Sequence, residues 1–391
     1  MKLGRWKPDA FKSGLLVLFL VAIAISVYRL FVPLSAFSNI DDQTPFGLWK
    51  AWDVIVVVPM GAAGFTMAFV RYWANDARYE MIERRSVIWA ALCYISMGAR
   101  LMIDLGHPFR IVYPLVFWGN IHSPLFEVAW CVFLYLIVLF FENLPRLTER
   151  FPGEKAAYWS HKLHHSIVPW FALAGILLSS MHQSSLGSLY LAVGKRIDPL
   201  WYHPWLNYIF LLTAVAMGLS FTILIEAFTA KYYKTKFETG LLANLGVAIA
   251  AALSVAFVWR IGSMIADGSI GGAFKASANA LLWWLENITL YVLPLIVLWQ
   301  KKLRNNAKWL VGAAASVAFG AALFRMNVAL TGMAADMKSS YVPSFTEFLF
   351  SVGWTAGIVG LFTLFAEFLP GMLGEKPVYE ESVGHVVAAD D

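Results

Sequence analysis

Ten runs of mostly apolar residues, separated by short polar connections, leave this 391-residue chain one class of fold. About 20 apolar residues cross the hydrocarbon core of a bilayer as a helix. The runs lie near 14–34, 48–70, 86–105, 122–141, 165–182, 205–228, 241–265, 278–299, 308–331 and 345–369. In lipid every backbone polar group must be paired internally, which leaves helices for runs of this length. The sequence predicts an all-α integral membrane protein of about ten transmembrane helices. Charged residues make up 14% of the chain, against about 25% in soluble domains. The first run is too long for a signal-peptide core and has no convincing cleavage site, so it is read as retained.

Orientation follows from the basic residues in the connections. The set holding both termini, with 71–85, 142–166, 229–240 and 300–308, carries 20 Lys and Arg; the alternate set carries 5. This asymmetry predicts cytoplasmic termini, with an acidic cytoplasmic tail over 371–391 after a transmembrane domain over 1–370. Spans 2–5 and 6–9 run in the same order of directions, which permits two four-helix bundles with two flanking helices.

The other five basic residues, Arg29, Lys50, Arg100, Arg260 and Arg325, lie inside spans, two to six residues from the ends assigned to the outside. At 1.5 Å per residue that is a layer at most ~9 Å deep. Asp53, Asp104, Glu127 and Glu347 share this depth, and Glu286 lies deeper. Charge at this depth is costly unless it faces a cavity or another charge. The stretch Ser179-Ser180-Met181-His182-Gln183-Ser184-Ser185-Leu186-Gly187-Ser188-Leu189 ends span 5 in the same layer. His182, Gln183, Ser184 and Ser185 offer donors for a carbonyl or quinone-type oxygen. Arg100 and Asp104, four apart, share a helix face, and short loops place Arg100 where it can pair with Glu127. A bland reading stands beside each: a snorkelling ion pair, a satisfied core histidine, and, for Asp198-Pro199-Leu200-Trp201, a simple turn rather than a cap over the site.

Two cysteines, Cys93 and Cys131, fall inside apolar runs and no C-x-x-C occurs, so the chain brings no iron–sulfur cluster and no metal site of its own. The basic residues sit in short loops, which excludes a nucleic-acid surface. Haem needs facing histidines in the spans. The sequence places none of its eight mid-membrane: 161, 164 and 165 at the cytoplasmic end of span 5, 203 in an outer loop, 385 in the tail, and 107, 122 and 182 near the outer layer. A transporter site is expected near the midplane with broken helices, whereas this layer lies at one face. A passive anchor for a soluble enzyme needs no such layer. Both remain alternatives from other classes.

Gly47-Leu48-Trp49 leading to Asp53, Asp104-Leu105-Gly106-His107-Pro108, His122-Ser123-Pro124-Leu125-Phe126-Glu127, Met181 to Leu189, Asp198 to Trp201 and Tyr341 to Glu347 together resemble the NrfD-like family, which includes the membrane subunit of polysulfide reductase. The likeness covers nearly the whole chain and is greatest to the membrane subunits of hydrogenase-2-type nickel–iron hydrogenases, often labelled b-type cytochromes. It implies a haem-free, quinone-reactive subunit of the bacterial inner membrane. On its outer face a ferredoxin-like iron–sulfur partner, itself joined to a catalytic subunit, exchanges electrons with menaquinone. Relatives also serve molybdenum enzymes and multihaem cytochrome complexes. The combined reading makes Glu127, His182, Asp104 and Asp53 catalytic candidates. His182, Gln183, Ser184, Ser185, Arg100, Trp49 and His122 are the quinone-binding candidates.

Overall fold

The computed structural model of the chain describes residues 8–40, 44, 46–105, 107–117, 119–149, 158–159, 162–164, 166–333, 341–369 and 371–373. The acidic tail beyond 373 and His161, His165 and His385 lie outside these. Ten long helices form among the described residues. They are α1 (Ala10–Arg29), α2 (Leu48–Trp73), α3 (Ala77–Asp104), α4 (Pro124–Thr148), α5 (Val168–Val193), α6 (Leu206–Tyr233), α7 (Thr239–Ala266), α8 (Ala278–Trp299), α9 (Ala307–Thr331) and α10 (Phe345–Phe368). Nine of these ten are long and apolar enough to cross a membrane. The exception is α5, whose 26 residues suffice in length but whose central polar stretch lowers its apolarity.

The sequence reading stops span 5 at residue 182, yet α5 continues to Val193. Nothing in the polar stretch breaks a helix. Ser185 and Ser188 turn their hydroxyls back onto the carbonyls of Met181 and Ser184, four residues earlier. The helix ends where Gly194 takes φ +70°, a left-handed conformation open to glycine. Side chains cap about half of the helix starts. Asp9 accepts from the Lys12 N–H at 2.8 Å, and Ser344 with Glu347 forms a capping box on α10.

Helices α2, α3, α4 and α5 pack in a closed ring of neighbours, as do α6, α7, α8 and α9. The two rings share a seam of α2 and α5 against α6, and of α2 against α9. Backbones approach closely there: a Cβ at Gly218 of α6 would stand 2.5 Å from the Ala62 carbonyl carbon of α2. Helices α1 and α10 pair with each other, and α10 leans on α3. The four-plus-four-plus-two arrangement expected from the order of directions is the one observed.

Four short stretches inside spans widen into π-turns: Ala51–Val57 and Phe69–Trp73 in α2, Ile288–Val292 in α8, and Asn327–Thr331 in α9. Such turns shift the hydrogen-bond register and free carbonyls for other partners. At the end of the molecule where α2 finishes, charged residues pair across helices. Glu83 meets Arg146, Arg84 meets Glu149, Arg85 meets Glu226 at 2.5 Å, and Lys12 meets Glu367 at 2.5 Å. These pairs tie α3 to α4 and α6, and α1 to α10.

Candidate functional site

Close helix contacts fix the levels of the opposite end. Gly187 of α5 abuts the start of α6, where its Cβ would lie 2.5 Å from Asn207 Cα. Gly175 of α5 faces Tyr135 of α4 at 3.2 Å, and Gly320 of α9 faces the Leu290 nitrogen of α8 at 2.5 Å. Counting 1.5 Å per residue from these contacts puts Asp53, Arg100, Glu127, His182, Phe210, Glu286 and Arg325 in one layer ~11 Å thick. His182 thus sits within its helix, a turn and a half below the level where α6 begins, rather than at the helix end.

In the first bundle Arg100 of α3 pairs with Asp53, which the π-turn of α2 presents to the interior. Both are buried. The Arg100 guanidinium also lies 6.0 Å from the Trp354 ring of α10. The expected Arg100–Glu127 pair does not form: Arg100 is taken by Asp53, and Glu127, in the first turn of α4, is half-buried. Asp104 pairs not with Arg100 but with Lys50, at 2.7 Å on the rim.

In the same layer as the Asp53–Arg100 pair stand His182 and Gln183, 1% and 0% exposed. Neither nitrogen of His182 has a hydrogen-bond partner among the described residues, and the Gln183 amide has only the Tyr94 hydroxyl within weak reach. The Tyr94 ring lies 5.9 Å from the imidazole and 4.6 Å from the Tyr135 ring. The Tyr94 hydroxyl reaches Ser179 at 3.3 Å, while that of Tyr135 is buried and unpartnered. A buried polar group without a partner costs about 1–3 kcal/mol, so this cluster is costly unless another molecule completes it.

The second bundle holds a more complete cluster. Glu286 of α8 pairs with Arg260 of α7, both fully buried. Its second oxygen accepts from the Trp201 indole and the Asn327 amide, each at 2.8 Å. The loop Asp198 to Trp201 is therefore both a turn and a lid on this bundle. Asp198 accepts from the Leu200 N–H at 2.9 Å and from Asn279 at 2.8 Å, and Trp201 drops onto Glu286. His203 in the same loop is fully buried, and neither of its nitrogens has a partner among the described residues. Burial, and then the Arg260 charge, push its pKa down to about 3.

The other sequence candidates fall outside the cluster. Trp49 is buried, but against Phe37 at 4.9 Å and Phe350 at 4.7 Å, towards the flanking pair. His122 is exposed in the turn before α4, Ser185 is spent on its own helix, and Ser184 is half-buried. Glu347 is held by the Asn39 and Ser344 N–H groups, both at 3.1 Å, and by the Tyr341 hydroxyl at 2.5 Å, a clamp between two connections. The sequence reading missed Tyr94, Tyr135, Tyr190 and Asn327. Tyr94 and Tyr135 sit ten or more residues from the ends of their helices, where an interface anchor has no business, and that position is the signal.

Comparison with known proteins points one way. The family described as Polysulphide reductase, NrfD, is matched over residues 38–335. The chain is 29% identical over 360 residues to the "Probable Ni/Fe-hydrogenase 2 b-type cytochrome subunit" of Escherichia coli strain K12, covering 90% of each protein. It is 28% identical over 369 residues to the "Menaquinone reductase, integral membrane subunit" of Nitratidesulfovibrio vulgaris, covering 88% of this chain and 87% of the relative. A selenate reductase subunit from Mesobacillus selenatarsenatis is 22% identical over 420 residues, with 93% of this chain and 95% of the relative covered.

Proposed function

Because this chain belongs to the NrfD family of membrane subunits of redox enzyme complexes, we propose that it is the quinone-reactive subunit of its complex. It exchanges electrons between an iron–sulfur partner docked on the non-cytoplasmic face and menaquinone held in the first bundle. A nickel–iron hydrogenase is the favoured catalytic partner, since a hydrogenase membrane subunit is similar over 90% of its length. The same role in a molybdoenzyme or multihaem cytochrome complex is the alternative, to which the selenate reductase relative lends weight.

The observation that carries this reading is the pair His182–Gln183, buried in the layer of the Asp53–Arg100 pair with an imidazole that has no partner among the described residues. The residues fit a flat ring bearing carbonyl oxygens. An imidazole N–H and an amide N–H donate to such oxygens, and Tyr94 and Tyr135 supply aromatic walls. When bound, the quinone supplies a two-electron, two-proton couple. His182 holds one oxygen through its imidazole N–H and is the group in contact that can pass it a proton. Glu127, level with Gln183 and half-buried, is placed to bring protons from the rim. Asp53 and Arg100 keep the local charge balanced.

The complex is purified in mild detergent and its co-purifying subunits identified. Electron transfer from the partner to a short-chain menaquinone analogue is then followed in nanodiscs. A complex that carries an iron–sulfur protein and reduces or oxidises the analogue supports the reading. A chain that purifies alone and moves solutes in vesicles replaces it with a transporter.

A further inference from the structure

Arg325 differs from the two other fully buried cations of the layer. Arg100 and Arg260 each meet a carboxylate, and Arg29, at the end of α1, donates among the described residues only to the Val32 carbonyl at the molecule's edge. Arg325, 0% exposed near the end of α9, meets no carboxylate among the described residues. Its guanidinium donates to two backbone carbonyls, Phe210 of α6 at 2.6 Å and Ile55 of α2 at 3.4 Å, and lies 4.4 Å from the Phe210 ring centre. Ile55 is inside the π-turn that also presents Asp53. Arg325 therefore sits on the seam between the bundles, in the same layer as His182, and its Nε–H has no acceptor.

Carbonyl dipoles and one aromatic face offset only part of a buried unit charge. The neighbours within reach of that charge are His182, Tyr94, Tyr190 and Tyr291. None is a carboxylate, and Tyr190 is fully buried with a hydroxyl that has no partner among the described residues. The region thus combines a fixed positive charge, hydroxyl donors and an imidazole, while the carboxylate on the same π-turn, Asp53, is already paired with Arg100. Such a set is complementary to an anionic oxygen.

Resting on the quinone reading above, we propose that Arg325 is the charge-compensating residue of that site: it stabilises a ring oxygen that carries negative charge, with Tyr190 and His182 as its hydrogen-bonding partners. A neutral quinone needs only the His182–Gln183 donors. Arg325 therefore discriminates by ligand charge and not by ring shape.

The test uses binding rather than turnover. Two probes share one ring and one alkyl tail: 2-hydroxy-3-alkyl-1,4-naphthoquinone, ionised at pH 7, and its neutral 2-methoxy counterpart. Quenching of tryptophan fluorescence in the intact complex reports their affinities. The wild type is expected to bind the ionised probe about ten- to a hundredfold more tightly, the scale of a charge-assisted contact. Arg325→Gln should abolish that preference while leaving the neutral probe within about threefold, and Arg325→Lys should keep most of it. Equal affinity of the two probes for the wild type overturns the proposal while leaving the quinone site standing. Binding of neither probe removes the quinone reading at this site and the proposal with it. If Arg325→Gln does not assemble, the wild-type and Arg325→Lys ratios decide.

Discussion

Arg260 of α7 and Glu286 of α8 form an ion pair in which neither residue exposes any surface. Placing two charges inside a helix bundle is offset only when every lone pair and donor nearby is used. Here Trp201 and Asn327 complete the carboxylate, and the guanidinium lies 4.9 Å from the Phe324 ring centre. Removing one member leaves its partner charged, buried and alone.

Glu286→Gln and Arg260→Met are therefore each expected to destabilise the subunit by about 3–5 kcal/mol. The double change Arg260→Met with Glu286→Leu should recover much of that loss. Thermal melting followed by fluorescence-detected gel filtration gives the comparison. A double variant as unstable as the two singles summed means that the pair is not coupled.

His182→Ala and Glu127→Gln address the working end of the first bundle. Neither residue is ion-paired among the described residues, so neither change strands a charge. Both variants should assemble and keep dye-linked activity of the catalytic partner. Each should lose quinone-linked turnover by about 10²–10⁴-fold, the usual worth of an acid–base group. Quinone turnover at the wild-type rate in both would make these residues structural. It would also move the search for the site to Asp53 and Arg325.

The all-α class, all ten long helices apart from the outer end of α5, and the shared polar layer are legible in the sequence because hydropathy and the cost of buried charge are one-dimensional quantities. Partner choice is not. Arg100 has Asp104 four residues away and Glu127 on the next helix, yet it pairs with Asp53, because a π-turn in α2 rotates that carboxylate inward. No residue type announces such a turn. The end of α5 is hidden for a related reason: serines that back-bond inside a helix look, in sequence, like serines that leave one. Tyr94 and Tyr135 were readable from their depth alone.

Membrane orientation gives a prediction free of any assumption about the ligand. Ala276, in the connection before α8, and Asn305, in the connection before α9, are both exposed, while native Cys93 and Cys131 are buried. The surplus of basic residues predicts Asn305 in the cytoplasm and Ala276 outside. In intact spheroplasts an impermeant maleimide should label Ala276→Cys and leave Asn305→Cys unlabelled until the cells are opened. The reverse pattern inverts the protein. Ser38 is unsuitable for this purpose, being buried with its hydroxyl on the Leu34 carbonyl.

Haem ligation asks for two side chains facing each other across a gap, or one histidine with an open face for the iron. His182 is within a span, but its ring neighbour is Tyr94, and no second described histidine occupies the layer. A dithionite-reduced spectrum of the isolated subunit should show no b-type α-band. A stoichiometric band would overturn this expectation and make His182 and His203, both buried and without partners among the described residues, the candidate iron ligands.

His203 supplies the pH dependence. Its ring is buried between the loop and the second bundle, and its folded-state pKa is depressed to about 3. In the unfolded chain the same ring titrates near 6.5. Above that value both states are neutral and the residue's contribution is intact. As pH falls below about 6.5 the unfolded chain takes up a proton that the folded protein refuses, so stability declines progressively toward pH 3. Melting of the wild type should therefore fall between pH 7.5 and pH 5 by more than that of His203→Gln, which carries no titrating ring. Parallel curves for the two proteins over that range would show that the loop opens to water and that His203 is not held neutral by the fold.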